Sequence, residues 1–217
     1  MGVTGTMSNH FKYQVAAKQV DLSADSIKVL LMRQGFIFNR DDHAAKKNIK
    51  TNSGAISLTF VNATKTITRG SGSFVTDGFV VGNKITTDAA LNPGPFTISA
   101  VSALEITVNE AVANEGPVTK TVTSDDELTT GYGYAQDSKL LTGKVLTEDD
   151  TNDRAELAAD DVTWPASGGT IGPTPGALLY DDTSADDVII GYLDFGGDQA
   201  AGSQRITLNA SSSSQSW

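Results

Sequence analysis

Carboxylates supply most of the chemistry open to this chain, and they crowd into one stretch. Thr147 to Trp164, TEDDTNDRAELAADDVTW, holds seven acidic side chains and one arginine in eighteen positions. Such a run suits a calcium loop, a catalytic carboxylate pair, or the solvated tip of a hairpin. An EF-hand calcium loop needs oxygen ligands at alternate positions and a glycine at the sixth, where the chain folds back around the ion. Counted from Asp149, oxygens stand at Thr151 and Asp153, but Arg154 takes the place of the glycine. Counted from Asp150, Arg154 stands where the third oxygen is required and Ala155 where the glycine belongs. The motif fails in both registers. A glycosidase would need two carboxylates flanking a sugar ring, and nothing selects a pair among 26 acidic residues. Trp164 follows Val162 in a period-two run and reads as a core or interface residue before a sugar platform. The hairpin accounts for more: Val145 and Leu146 precede the acidic turn, Ala155 and Leu157 follow it, and Asp, Thr and Asn favour the turn itself.

Other reactive residue types are sparse. The histidines are His10, in a helical stretch, and His43, in a charged one, with no HExxH-type spacing between them. No G-x-S-x-G nucleophile elbow occurs. GYGYAQ, Gly131 to Gln136, begins like a dinucleotide loop but has Gln136 where the third glycine belongs, so it reads as a turn. Cysteine is absent, which excludes disulfides, thiolate metal sites and a Cys nucleophile. No catalytic residue, cofactor site or metal site is expected.

The elements that would position these residues are mostly strands. Ser8 to Gln19 places Phe11, Val15 and Ala16 on one helical face behind a candidate Ser8 cap. Ser26 to Met32 alternates Ile27, Val29 and Leu31 with a partly apolar second face, the pattern of a central strand. Phe36 to Asn52 is polar and without period, a surface excursion. From Ile56 the chain turns Thr- and Val-rich, with short alternating runs between turn signals such as Asn92-Pro93-Gly94-Pro95. The clearest hairpin there sets Phe96, Ile98 and Ala100 against Leu104, Ile106 and Val108. Beyond Ser124 come further strands over 139–146, 154–158, 162–164, 177–180, 188–195 and 205–208. One strand before Ile56 cannot make a sheet by itself. The expected fold is therefore mainly β: a discontinuous β-sandwich-like main domain of residues 8–55 and 125–217 with one short N-terminal helix, a small all-β domain inserted at 56–124, and a flexible N-terminal arm of residues 1–7.

Bulk properties narrow the partners. A length of 217 residues suits one substantial core or two small ones. The net charge of −10 would repel a phosphate backbone, so nucleic acid is not an expected partner. Apolar runs fall well short of the ~20 residues of a membrane helix, and the first residues lack the pattern of a secretory signal, so neither a membrane nor export by that route is expected.

Read in order, SNHFKYQVAAKQVDLSADSIKVLLMRQGFIFN, GYGYAQDSKLLTGKVLTEDDTNDRAELAADDVTW and GALLYDDTSADDVIIGYLDFGGDQ resemble a group of tailed-bacteriophage virion structural proteins. Shared with that group are a Gly-Tyr turn, the TGK strand, the DDTNDRA turn, the ADDVTW strand and a strand like LIGYIDFG, here IIGYLDFG. KTITRGSGSFVTDGFVVGNKITT and PFTISAVSALEITVNEAV are similar to a β module that recurs in phage structural proteins. The resemblance implies a virion component and carries no catalytic residues. The function it leads one to expect is a capsid decoration (cement) protein on the outer head surface, partnered by the major capsid protein and by copies of itself, as a homotrimer. A tail or tail-fibre subunit with the insert as adhesion module is the alternative, and a carbohydrate-active enzyme a third. Phe11, Val15, Trp164 and the terminal Trp217 are the candidate interface residues.

Overall fold

The computed structural model describes residues 4–137, 139–151, 154–201 and 205–208. In chain order it runs β1 (Thr4–Met7), α1 (Asn9–Ala16), β2 (Ile27–Leu31), β3 (Lys50–Asn52), β4 (Ile56–Val61), β5 (Thr66–Arg69), α2 (Phe74–Asp77), β6 (Lys84–Thr87), β7 (Phe96–Val101), β8 (Glu105–Val108), β9 (Glu115–Lys120) and β10 (Val122–Asp125). There follow β11 (Lys139–Leu140), β12 (Val145–Asp149), β13 (Arg154–Ala158), β14 (Val162–Pro165), β15 (Ile171–Asp181), β16 (Val188–Ala201) and β17 (Arg205–Leu208). The protein is mainly β, and its strand pairings are antiparallel. It divides into two compact units, Met1–Lys46 with Glu127–Trp217, and Lys47–Asp126.

The first unit is built on a five-stranded sheet in the order β1-β16-β15-β2-β11. Register explains why the central strands read as apolar on both faces. Ala177, Leu179 and Asp181 of β15 stand opposite Leu31, Val29 and Ile27 of β2 and share one face, while Leu178 and Tyr180 stand opposite Leu30 and Lys28 on the other. Ile27, Val29, Leu31, Ala177, Val188 and Ile190 join Phe11, Tyr134, Val162 and Trp164 in one core. Leu30, Leu178 and Ile189 are buried on the opposite face. Beside the sheet lie two strand pairs, β12 with β13 and β14 with β17.

Three expectations change here. Part of the arm of residues 1–7 is a strand: Thr4–Met7 pairs with Gly191–Asp194 along the outer edge of β16, giving backbone groups there hydrogen-bond partners. Gly191 permits the approach, since a Cβ there would lie 2.6 Å from the Thr6 carbonyl oxygen. The helix stops at Ala16, short of Gln19, and of Phe11, Val15 and Ala16 only Phe11 is buried. Ser8 has the extended backbone of a cap, but its side chain makes no capping bond.

The second unit is a single eight-stranded antiparallel arrangement, β3-β10-β6-β7-β8-β5-β4-β9, around Leu58, Phe60, Ile67, Phe74, Phe79, Ile85, Ile98, Ile106 and Val122. It begins at Lys47 where the sequence pattern put the change at Ile56, because the short strand Lys50–Asn52 pairs with Asp125–Thr123 of β10. Within the hairpin of β7 and β8, a bulge between Ile98 and Ala100 breaks the alternation. Phe96, Ile98, Ile106 and Val108 are buried, while Ala100 and Leu104 face solvent. The one-turn helix α2 is capped by the Ser73 side chain, which accepts from the Thr76 amide, and is too short to give a helical period.

Candidate functional site

The acidic stretch that opens the sequence question forms a hairpin. β12 and β13 pair from Val145 opposite Ala158 to Asp149 opposite Arg154; Glu148, Asp149 and Glu156 stand on these strands and Asp150 at the turn, Asp160 and Asp161 follow β13, and Asp153 lies outside the described residues. On β13, Leu157 packs against the core of the first unit. β12 does not follow it inward: Val145 and Leu146 are 54% and 46% exposed, and Leu140 of β11 is 48% exposed. Among the described residues, no group of three or more His, Asp or Glu side chains is placed to hold a metal ion.

A charged cluster lies on the Tyr180 face of the sheet, drawn from four separate parts of the chain. Lys28 and Tyr180 are directly opposite on β2 and β15. The Lys46 ammonium donates to Asp137 Oδ2 and to the Tyr180 hydroxyl, each at 2.9 Å, and sits 4.6 Å from the centre of the Tyr180 ring. Tyr180 donates to Asp137 Oδ1, and its oxygen lies 3.1 Å from Asp182 Oδ1. Lys28 pairs with Asp182 at 3.0 Å and stands 3.7 Å from Asp137. Burial works against ionised Asp137, but hydrogen bonds from Tyr180 and Lys46 and the charges of both lysines outweigh it and hold the carboxyl below its ordinary value. Burial first, and then the Asp137 carboxylate, push the Tyr180 phenol far above its own. Tyr180 therefore keeps its proton at neutral pH and acts as a hydrogen-bond donor. The cluster can hold strand ends together; its lysines and phenol already have partners.

The two histidines differ. His10, on α1, has Nε2 3.0 Å from the Gln14 amide nitrogen. His43 is buried between aromatic rings, stacked on Phe38 at 5.5 Å and edge-on to Phe36 at 5.2 Å. His43 Nδ1 lies 2.9 Å from the Asn39 amide nitrogen and 3.1 Å from the Asn39 carbonyl oxygen, so its hydrogen bond is to the Asn39 main chain in either neutral tautomer. Burial lowers the His43 pKa, with the Asn39 backbone and Asp42 opposing. GYGYAQ is a turn closed by reciprocal hydrogen bonds between Gly131 and Tyr134. Gly133 has φ +98°, and a Cβ on it would come within 2.1 Å of the Pro165 carbonyl oxygen, so only glycine fits. The Tyr134 hydroxyl accepts from the Leu31 amide and donates to Glu127 Oε1 at 2.7 Å.

Of the candidate interface residues, Phe11 and Trp164 are buried in the first unit's core, where Trp164 lies 5.8 Å from the Tyr134 ring. Val15 is exposed on α1, and Trp217 lies outside the described residues. Residues passed over in the sequence are Lys28, Lys46, Asp137, Tyr180 and Asp182, which share no local motif. Leu140, Val145 and Leu146 were legible as strand residues but not as exposed ones. No helix among the described residues is long and apolar enough to cross a membrane. No family model, curated protein or solved structure matches the chain.

Proposed function

We propose that this chain is a structural protein of a tailed-bacteriophage virion, a capsid decoration protein that attaches in many copies to the outer head surface and associates with copies of itself as a trimer. The resemblance of its strand-and-turn motifs to phage virion proteins supports the class. The observation that carries the attachment is the exposed strand β12. Among the described residues it pairs with β13 alone, and the backbone N–H and C=O groups of its other edge lie beside half-exposed Val145 and Leu146. An edge of that kind is a template for strand addition by another chain. Completing the burial of two half-exposed aliphatic side chains is worth about 1 kcal/mol each, so a single such contact is weak. Many copies on a repeating lattice convert weak contacts into firm attachment.

Reconstruction of the virion, or labelling with antibody against residues 56–124, tests the proposal. Signal spread over the head in many copies is the expected result. Signal confined to the tail or its fibres would reject decoration in favour of a tail subunit.

A further inference from the structure

At the end of β15, on the core face of the sheet, sits a carboxyl group in an apolar place. Asp181 is 0% exposed, and its cross-strand neighbours are Ile27 of β2 and Val188 of β16. Its Oδ1 accepts from the amides of Thr183 at 2.8 Å and Ser184 at 3.2 Å, while its buried Oδ2 receives no donor among the described residues. An ionised oxygen in that position would be costly. A second carboxyl, Asp25, in the turn that precedes β2, interacts with that of Asp181. That turn is fastened to the end of β15 by the Asp182 amide, which donates to the Ser26 carbonyl, and by the Ser26 amide, which donates to Thr183 Oγ1, both at 2.8 Å.

We infer that Asp181 keeps a proton on Oδ2 and donates it to the Asp25 carboxylate, so that one shared proton latches the 21–26 turn onto the end of β15. The surroundings favour a proton over a metal ion. The nearby ammonium, Lys144, donates to the main-chain oxygens of Leu22 and Asp25. Asp21 spends Oδ1 on Ser23 and Ala24, and its amide donates to Asp25 Oδ2 at 2.6 Å. Lys28 and Asp182 pair with each other, and Asp187 in the next turn is tied through its amide to the Ser184 carbonyl. Calcium takes six to eight oxygen ligands, and this pair offers far fewer. A proton satisfies the orphaned oxygen with one atom. Two carboxyls in contact titrate as a unit, with one of the two apparent pKa values raised.

Burial is the largest influence on Asp181 and raises its pKa; the Thr183 and Ser184 amides pull it back, and Asp25 pushes it up again. A raised folded-state value means that the latch stabilises the fold fully below the ordinary aspartate pKa of about 4. That stability is lost as the pH rises through the raised value. Above it, two negative charges meet beside Ile27 and Val188 and the turn opens.

The test is a carboxyl carbon NMR titration of the full chain together with melting midpoints from acid to alkaline pH, for the native protein and for Asp181→Asn and Asp25→Asn. Asp181 is expected to titrate above the ordinary aspartate range. The native midpoint should fall as pH rises through that value, whereas either asparagine, whose amide can donate across the pair at any pH, should flatten the fall. An Asp181 carboxyl that titrates at or below the ordinary range would overturn the inference whether or not the variants fold. So would a native pH profile reproduced by both variants. A midpoint raised by calcium chloride in the native chain but not in Asp181→Asn would make the pair a cation site and overturn the shared proton.

Discussion

At the scale of single residues, the groups that titrate near neutrality or lie buried decide how the protein answers to pH. His43 is the clearest case. Buried against Phe38 and Phe36, the imidazole is favoured in its neutral form, because burial outweighs the opposing Asn39 backbone and Asp42. A folded-state pKa below the ordinary value of about 6.5 means that its contribution to stability is full above that value. The contribution is lost as the pH falls through the lowered folded value. Urea midpoints should therefore drop between pH 7 and pH 5. In His43→Phe that part of the drop should disappear, at a constant cost of about 1 kcal/mol for the lost hydrogen bond between Nδ1 and the Asn39 main chain. An equal drop in both proteins would assign it to other groups. His43 was visible in the sequence only as an isolated histidine in a charged stretch. Its neighbour Phe38 is in turn stacked on Tyr192 of β16 at 5.7 Å, and no local pattern around residue 43 encodes that strand.

At the scale of elements, β12 and β13 show how one hairpin divides its work. Leu157 holds β13 to the core, while β12 leaves Val145 and Leu146 half in water. A lone pair of strands is marginal in water, so the packing of Leu157 and the cross-strand pairing must keep the hairpin in place. Val145→Lys with Leu146→Lys replaces two solvent-facing side chains on this strand. It should change the unfolding free energy by no more than about 0.5 kcal/mol per site. If β12 is the attachment edge, the same double variant should occupy heads at least tenfold less tightly in a sedimentation assay. Unchanged attachment would move the contact elsewhere on the chain. The hairpin itself was legible, because Val145, Leu146, Ala155 and Leu157 flank a turn-rich acidic stretch. Which of its strands would be covered was not, since both have comparable apolar content and only the position of the core distinguishes them.

At the scale of the whole molecule, the chain leaves the first unit at Lys46 and returns at Glu127. The two ends of the second unit lie side by side, since Lys50 pairs with Asp125 and the Asp126 amide donates to the Ile49 carbonyl at 2.8 Å. Closing a gap whose ends are already adjacent costs little. Replacing Lys47–Asp126 by a short Gly-Ser linker should leave a first unit that melts cooperatively and retains its near-ultraviolet signal from Trp164. An insoluble or non-cooperative product would mean that the first unit depends on the second for folding. The cut belongs at Lys47, because a cut at Ser57 would leave β3 without β10, its partner.

Much of this organisation was set locally. The alternation in IKVLL and VTW, the turn chemistry around Asp150, and the Thr- and Val-rich change of character after Ile56 each follow from a period of two and from residues that favour turns. Such patterns record which side of a segment avoids water, and a short window contains that information. The tertiary structure decided what those sides meet. It joined β3 to β10, turned Thr4–Met7 into an edge strand, and brought Lys46 to Tyr180 across 134 positions. It also set Asp25 against Asp181. A side chain's partner across a non-local strand depends on register and sheet order, and neither is written in the spacing of the residues on either side of it.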